Sequence, residues 1–122
     1  VNVTTNNAGS VRFVNCAYWG PCNRIALVDG TGTVGFGDCT FVQWARQGKV
    51  SHAIDALGGS ILIRGCDFQD DKPQVFLGEK VQRAIVSENL ITGKKRIDNK
   101  AGKRAVIKDN VSKPAPPAKP SR

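Results

Sequence analysis

Apolar residues recur two apart along this chain, in short bursts separated by turns rich in Gly, Asn and Asp. Five segments align without gaps: Val11-Arg-Phe-Val-Asn-Cys-Ala-Tyr18, Val34-Gly-Phe-Gly-Asp-Cys-Thr-Phe41, Ile61-Leu-Ile-Arg-Gly-Cys-Asp-Phe68, Ala84-Ile-Val-Ser-Glu-Asn-Leu-Ile91 and Ala105-Val-Ile-Lys-Asp-Asn-Val-Ser112. The first and third positions are apolar in every segment, from Val11 and Phe13 to Ala105 and Ile107. A spacing of two puts both side chains on one face of a strand. The fifth position reads Asn15, Asp38, Gly65, Glu88, Asp109. Asn, Asp and Gly tolerate the left-handed region, and one left-handed residue bends a strand sharply. Past the bend the inward alternation resumes, with Tyr18, Phe41, Phe68 and Ile91 at the eighth position. The sixth column is Cys16, Cys39, Cys66, Asn89 and Asn110, at successive spacings of 23, 27, 23 and 21 residues.

Further short apolar runs lie between the segments: Ile25–Val28, Ala53-Ile54, Val75–Leu77 and Ile97. Most precede a Gly-rich turn such as Asp29–Gly32 or Leu57–Ser60. Each repeat therefore reads strand, turn, strand, bend, strand, loop, and no stretch has the 3.6-residue period of an amphipathic helix. Strands this short bury both faces only if the chain coils and each coil stacks on the last. The pattern predicts an all-β, right-handed, single-stranded parallel β-helix, a solenoid of about five coils with equivalent residues roughly 4.8 Å apart. Residues 1–10 are expected to be a polar lead-in, 11–111 the coils, and 112–122 a flexible Pro/Lys-rich tail that holds four of the six prolines. The chain opens on Val1 without an initiator Met, so a processed or excised piece is expected, with more coils before it or a second copy stacked against its end.

The repeat Val-x-Phe-x-Asx-Cys-x-Phe with its Asn variants resembles the pectin-lyase-like superfamily over about residues 9–111. More narrowly, it is similar to the C-terminal coils of secreted bacterial proteins labelled pectate-lyase or glycosyl-hydrolase-28-related. That resemblance implies an extracellular or periplasmic setting and a saccharide groove bordered by the loops after position eight. Those loops hold Trp19, Trp44, Arg46, Lys49, His52, Lys94, Lys95 and Arg96, the expected carbohydrate contacts. Trp faces stack on the apolar side of sugar rings, and Arg grips carboxylates or sulfates in a fork. The competing reading has Trp19 and Trp44 covering the apolar flank of neighbouring coils. The polygalacturonase motifs Asn-Thr-Asp, Gly-His-Gly and Arg-Ile-Lys are absent, Arg96-Ile97 being followed by Asp98. The arginine-proline signature of pectate lyases is absent too, so no catalytic residue is carried over.

Charge sharpens the partner. The net +8 is uneven: residues 1–79 carry 6 Lys/Arg and 7 Asp/Glu, residues 80–122 carry 12 and 3. All eight aromatics lie at or before Phe76, so the basic half lacks the stacking rings that single-stranded nucleic acid requires. No apolar run approaches the roughly 20 residues of a membrane span. The expected partner is a polysaccharide, acidic or neutral, with no nucleic acid, membrane or cofactor.

The ladder cysteines fit a small-residue core stack, or a disulfide between neighbouring coils or from Cys16 to Cys22. No metal site is expected, since there is no CxxC pair and His52 is the only His. Asp67, Asp70 and Asp71 read as solvated, and His52 near Asp55 as a weak acid/base pair. The expectation is the C-terminal β-helix portion of a secreted polysaccharide-binding or polysaccharide-degrading protein, contributing contacts rather than chemistry. The alternative is a self-assembling β-solenoid spacer or fibre element.

Overall fold

The computed structural model describes residues 1–46 and 51–117. Its strands wind into a parallel β-helix of about five coils with three faces. The first coil holds β1 (Asn2–Val3), β2 (Ser10–Val14) and β3 (Ala17–Trp19). The second holds β4 (Ala26–Val28), β5 (Thr33–Gly37) and β6 (Thr40–Val42). In the third, β7 (Ile54–Arg64) runs through the first corner and is followed by β8 (Asp67–Phe68). The fourth repeats this with β9 (Val75–Ser87) and β10 (Leu90–Thr92). The fifth has β11 (Ile97–Asn99), a 3-10 turn at Gly102–Arg104, β12 (Ala105–Lys108) and β13 (Val111–Lys113). Every strand pair is parallel.

The pairing register is the gapless alignment of the sequence. Val11, Val34, Ile61, Ala84 and Ala105 are partners in succession along the second face, as are Phe13, Phe36, Ile63, Val86 and Ile107. On the third face Tyr18, Phe41, Phe68, Ile91 and Ser112 follow the same order. Inward aromatics then stack at the coil spacing: Phe13 on Phe36 with centroids 5.1 Å apart, Tyr18 on Phe41 at 5.2 Å, Phe41 on Phe68 at 4.8 Å. Offset stacking of this kind adds about 0.5–1.5 kcal/mol per pair beyond burial.

All five bend residues are left-handed, with φ of 56° at Asn15, 54° at Asp38, 67° at Gly65, 59° at Glu88 and 58° at Asp109. In the second to fifth coils the ladder side chain donates to the position-three carbonyl of the coil before, whereas Cys16 Sγ donates to Val14 O of its own coil at 3.5 Å. Cys39 Sγ reaches Phe13 O at 3.4 Å and Cys66 Sγ reaches Phe36 O at 3.4 Å, while Asn89 Nδ2 reaches Ile63 O at 3.1 Å and Asn110 Nδ2 reaches Val86 O at 3.1 Å. Thiol and amide share one column because both are compact donors. All four cysteines are free. Burial pushes the Cys66 thiol up to about 12 and raises Cys39 as well, so both stay protonated donors.

Two expected boundaries move. Asn2 and Val3 pair with Leu27 and Val28, so the lead-in already supplies the first strand. Ser112 and Lys113 pair with Ile91 and Thr92, so the last coil runs to Lys113 rather than stopping at 111.

Candidate functional site

The first face is built from β1, β4, the start of β7, the start of β9, and β11. Its inward columns are apolar, with Ala26, Ile54 and Val75 buried in one and Val28, Ala56 and Leu77 in the other. The residues between them point outward and form a single column: Leu27, Asp55, Phe76, Asp98. An aromatic ring thus lies on the outer surface between two carboxylates, each one coil away.

His52 ties this column together. It leads into β7 from the long loop after β6, and its Nδ1 lies 3.4 Å from Asp55 Oδ1 while its Nε2 lies 2.5 Å from Asp98 Oδ2. The imidazole also tilts over Phe76, with ring centroids 5.7 Å apart. Arg24 Nη1 contacts the other oxygen of Asp55 at 3.2 Å. Burial opposes a charge on His52, but the hydrogen bonds and negative charges of Asp55 and Asp98 outweigh it and raise its pKa. The His52 and Asp55 side chains are only 13% and 14% exposed, whereas Asp98 is 58% exposed and Arg24 45%. The polar rim of Phe76 is therefore held in place, with Asp98 oxygens and Arg24 nitrogens still open to a ligand.

The loops that border this strip position the remaining expected residues. Trp19 is 73% exposed at the first-coil end and lines a recess of about 350 Å³ with Tyr18, Cys22 and Arg24. Lys94 and Lys95 are exposed in the loop that leads into β11 and Asp98. Arg96 lies in the same loop but is engaged by the protein, its guanidinium donating to the Asp71 carboxylate at 2.9 Å and the Asp71 carbonyl at 3.2 Å. Arg46 is exposed, and Lys49 lies outside the described residues.

Trp44 needs correction as a sugar contact. It is wholly buried, its Nε1–H donates to Pro73 O at 2.6 Å, and its ring meets Phe68 edge-on. Its own carbonyl accepts Lys72 Nζ at 2.9 Å. Trp44 pins the long loop to the next coil, and no face is left for a ligand. The reading of Asp70 and Asp71 as merely solvated also changes: Asp70 Oδ2 accepts the Gln43 N–H at 2.9 Å, and Asp71 receives Arg96.

Sequence reasoning missed Phe76, Asp98 and Gln74. Gln74 is fully buried, accepts the Arg96 N–H on Oε1 at 2.6 Å, and donates from Nε2 to the carbonyls of Lys72 and Lys94. It fastens two of the bordering loops together. A signal for the column was present: Ile54-Asp55-Ala56, Val75-Phe76-Leu77 and Ile97-Asp98-Asn99 each place one residue between two inward positions. No family model, curated protein or solved structure matches the chain.

Proposed function

We propose that the chain is a glycan-binding stretch of β-helix from a secreted polysaccharide-binding or polysaccharide-degrading protein of the pectin-lyase-like kind, located outside the cell or in the periplasm. The observation that supports this reading is the outward column of Phe76 between Asp55 and Asp98, with His52 and Arg24 as a fixed polar rim. An apolar ring face beside carboxylate acceptors and a guanidinium donor suits a sugar, which has apolar C–H faces and a belt of hydroxyls. Trp19 extends the strip at one end, and Lys94 and Lys95 add positive charge at the other, where carboxylated or sulfated sugars gain.

Affinity electrophoresis against a panel of neutral and acidic polysaccharides tests the reading. At least one gel is expected to retard the chain, with Phe76→Ala and Trp19→Ala each weakening retention at least about tenfold, a loss of about 1.4 kcal/mol. Unchanged retention in both variants, or none on any polysaccharide, refutes it.

The spacer reading rests on a separate observation. Among the described residues, the strands of the first and fifth coils each have a neighbour on one side only, and Phe13, Tyr18 and Ile107 are half-buried at those ends. Open parallel edges invite another coil. Sedimentation over a hundredfold concentration range decides it: growing oligomers support the spacer, a constant monomer opposes it.

A further inference from the structure

On the outer side of the second face, β5 presents no side chain beyond Thr33. Its last two outward positions are Gly35 and Gly37, while the first coil carries Arg12 and Val14 there, the third Leu62 and Arg64, the fourth Ile85 and Ser87, and the fifth Val106 and Lys108. Glycine inside a strand costs roughly 0.5–1 kcal/mol. Neither glycine has a positive φ. A Cβ at Gly37 would meet nothing within 4 Å, and one at Gly35 would meet only the flexible Arg12 side chain within 3.1–3.6 Å, apart from backbone at 3.7 Å. A positive φ therefore explains neither residue, and crowding does not explain Gly37. Glycine in a strand interior otherwise marks a bulge, a tight bend, or a place where a ligand or another backbone comes close, and the ladder runs through both positions without a bulge.

The glycines leave a trough of about 340 Å³, floored by β5 and walled by Val14 and Leu62. Its two ends carry opposite charge. Arg12 lies over Gly35 at one end, and Asp38 closes the other at the bend. Arg64 is turned to Glu88 at 3.2 Å, whereas Arg12 and Asp38 form no ion pair among the described residues. From position 35 to position 38 the strand advances roughly 10 Å. An extended peptide covers about 3.3–3.6 Å per residue, so two or three residues fill that length.

We propose that this trough is a binding site for a short zwitterionic peptide, with its terminal carboxylate on Arg12, its ammonium on Asp38 and a small side chain over Gly37. Arg supplies the paired donors that a carboxylate accepts. The site is on a different face from Phe76 and stands independently of the glycan reading.

Titration of the intact chain with zwitterionic Ala-Ala-Ala, followed by amide chemical shifts, tests it. Shifts are expected at Gly35 and Gly37. N-acetylation or C-amidation of the peptide is expected to weaken binding at least about tenfold. Gly37→Val puts a Cβ where nothing lies within 4 Å and its methyls into the trough, so it is expected to fold at least as stably as the parent and to lose binding. Asp38→Asn keeps a residue that tolerates the bend and loses the ammonium partner, and Arg12→Gln loses the carboxylate partner. Equal binding by the blocked peptide, equal binding by Gly37→Val, or shifts at the two glycines with a sugar acid in place of the tripeptide overturns the proposal. Phe76→Ala leaves peptide binding unchanged, so failure here and failure of the glycan reading are separable.

Discussion

Replacing Asn89 tests why the ladder column contains the residues it does. Asn89 is 1% exposed, and its amide makes three bonds within the column. Oδ1 accepts the Cys66 N–H at 2.9 Å, while Nδ2 donates to Ile63 O at 3.1 Å and to Asn110 Oδ1 at 2.9 Å. In Asn89→Ala the Cys66 N–H is left buried without its partner and the Ile63 carbonyl loses one donor. Asn110 Oδ1 keeps the Asn89 backbone N–H, 3.2 Å away. A buried orphan costs about 1–3 kcal/mol and a lost hydrogen bond about 0.5–1.5 kcal/mol, so the expected loss is roughly 1.5–4.5 kcal/mol. Asn89→Cys is the informative control. The thiol donates to Ile63 O as Cys66 donates to Phe36 O, and its sulfur accepts the N–H below, so the loss should be about half that of Ala or less. Urea denaturation reads both, with midpoints compared at constant slope. An Ala variant within about 1 kcal/mol of the parent, or a Cys variant as damaged as Ala, refutes the account of the column.

Glu88 is the one bend residue whose type does not suit a left-handed conformation, which costs an ordinary side chain about 1–2 kcal/mol. Glu88→Asn is expected to raise the thermal midpoint, and Glu88→Val to lower it, despite the exposed contact with Arg64 that both remove. With thiol reagent at pH 8, Cys16 and Cys22 react in the folded protein, while Cys39 and Cys66 react only after denaturation, because burial raises both; four reactive thiols in the native state would contradict this. His52 has a raised folded pKa, so its stabilising contribution is complete below its unfolded value of about 6.5 and disappears as pH climbs through the folded value. The stability advantage of the parent over His52→Gln is therefore expected to be larger at pH 5.5 than at pH 9, and a constant or reversed difference counts against the carboxylate clasp.

The second and third faces were legible in the sequence because two independent signals coincide there. Inward residues at positions one and three fix the strand, and a left-handed residue at position five fixes where it turns. A shift of one residue would expose Phe36, Ile63 and Val86 together, so the register is strongly determined. The first face was harder to read. Its strands show only three residues each in β4 and β11, and the chain between faces differs from coil to coil: a turn at Asp29–Gly32, but an unbroken β7 through Gly58 and Gly59 with its pairing to β9 displaced there. Without that register Phe76 and Asp98 had no column to belong to. The contact of His52 with Asp98 spans 46 residues and two coils, so chain proximity suggested only Asp55. Trp44 was misread for a related reason. A loop position says nothing about direction, and this indole turns inward because Pro73 O and the Phe68 edge await it on the next coil.

Stacking in register is the claim on which the ladder, the bend, the outer column on the first face and the glycine trough all depend. Cross-strand backbone NOEs in the isotope-labelled protein measure it without altering a residue. The account predicts parallel-type connections linking Val11 to Val34, Val34 to Ile61, Ile61 to Ala84 and Ala84 to Ala105, matched by Phe41 to Phe68 on the third face. Antiparallel contacts between successive segments, or a parallel pattern displaced by one residue, would contradict it.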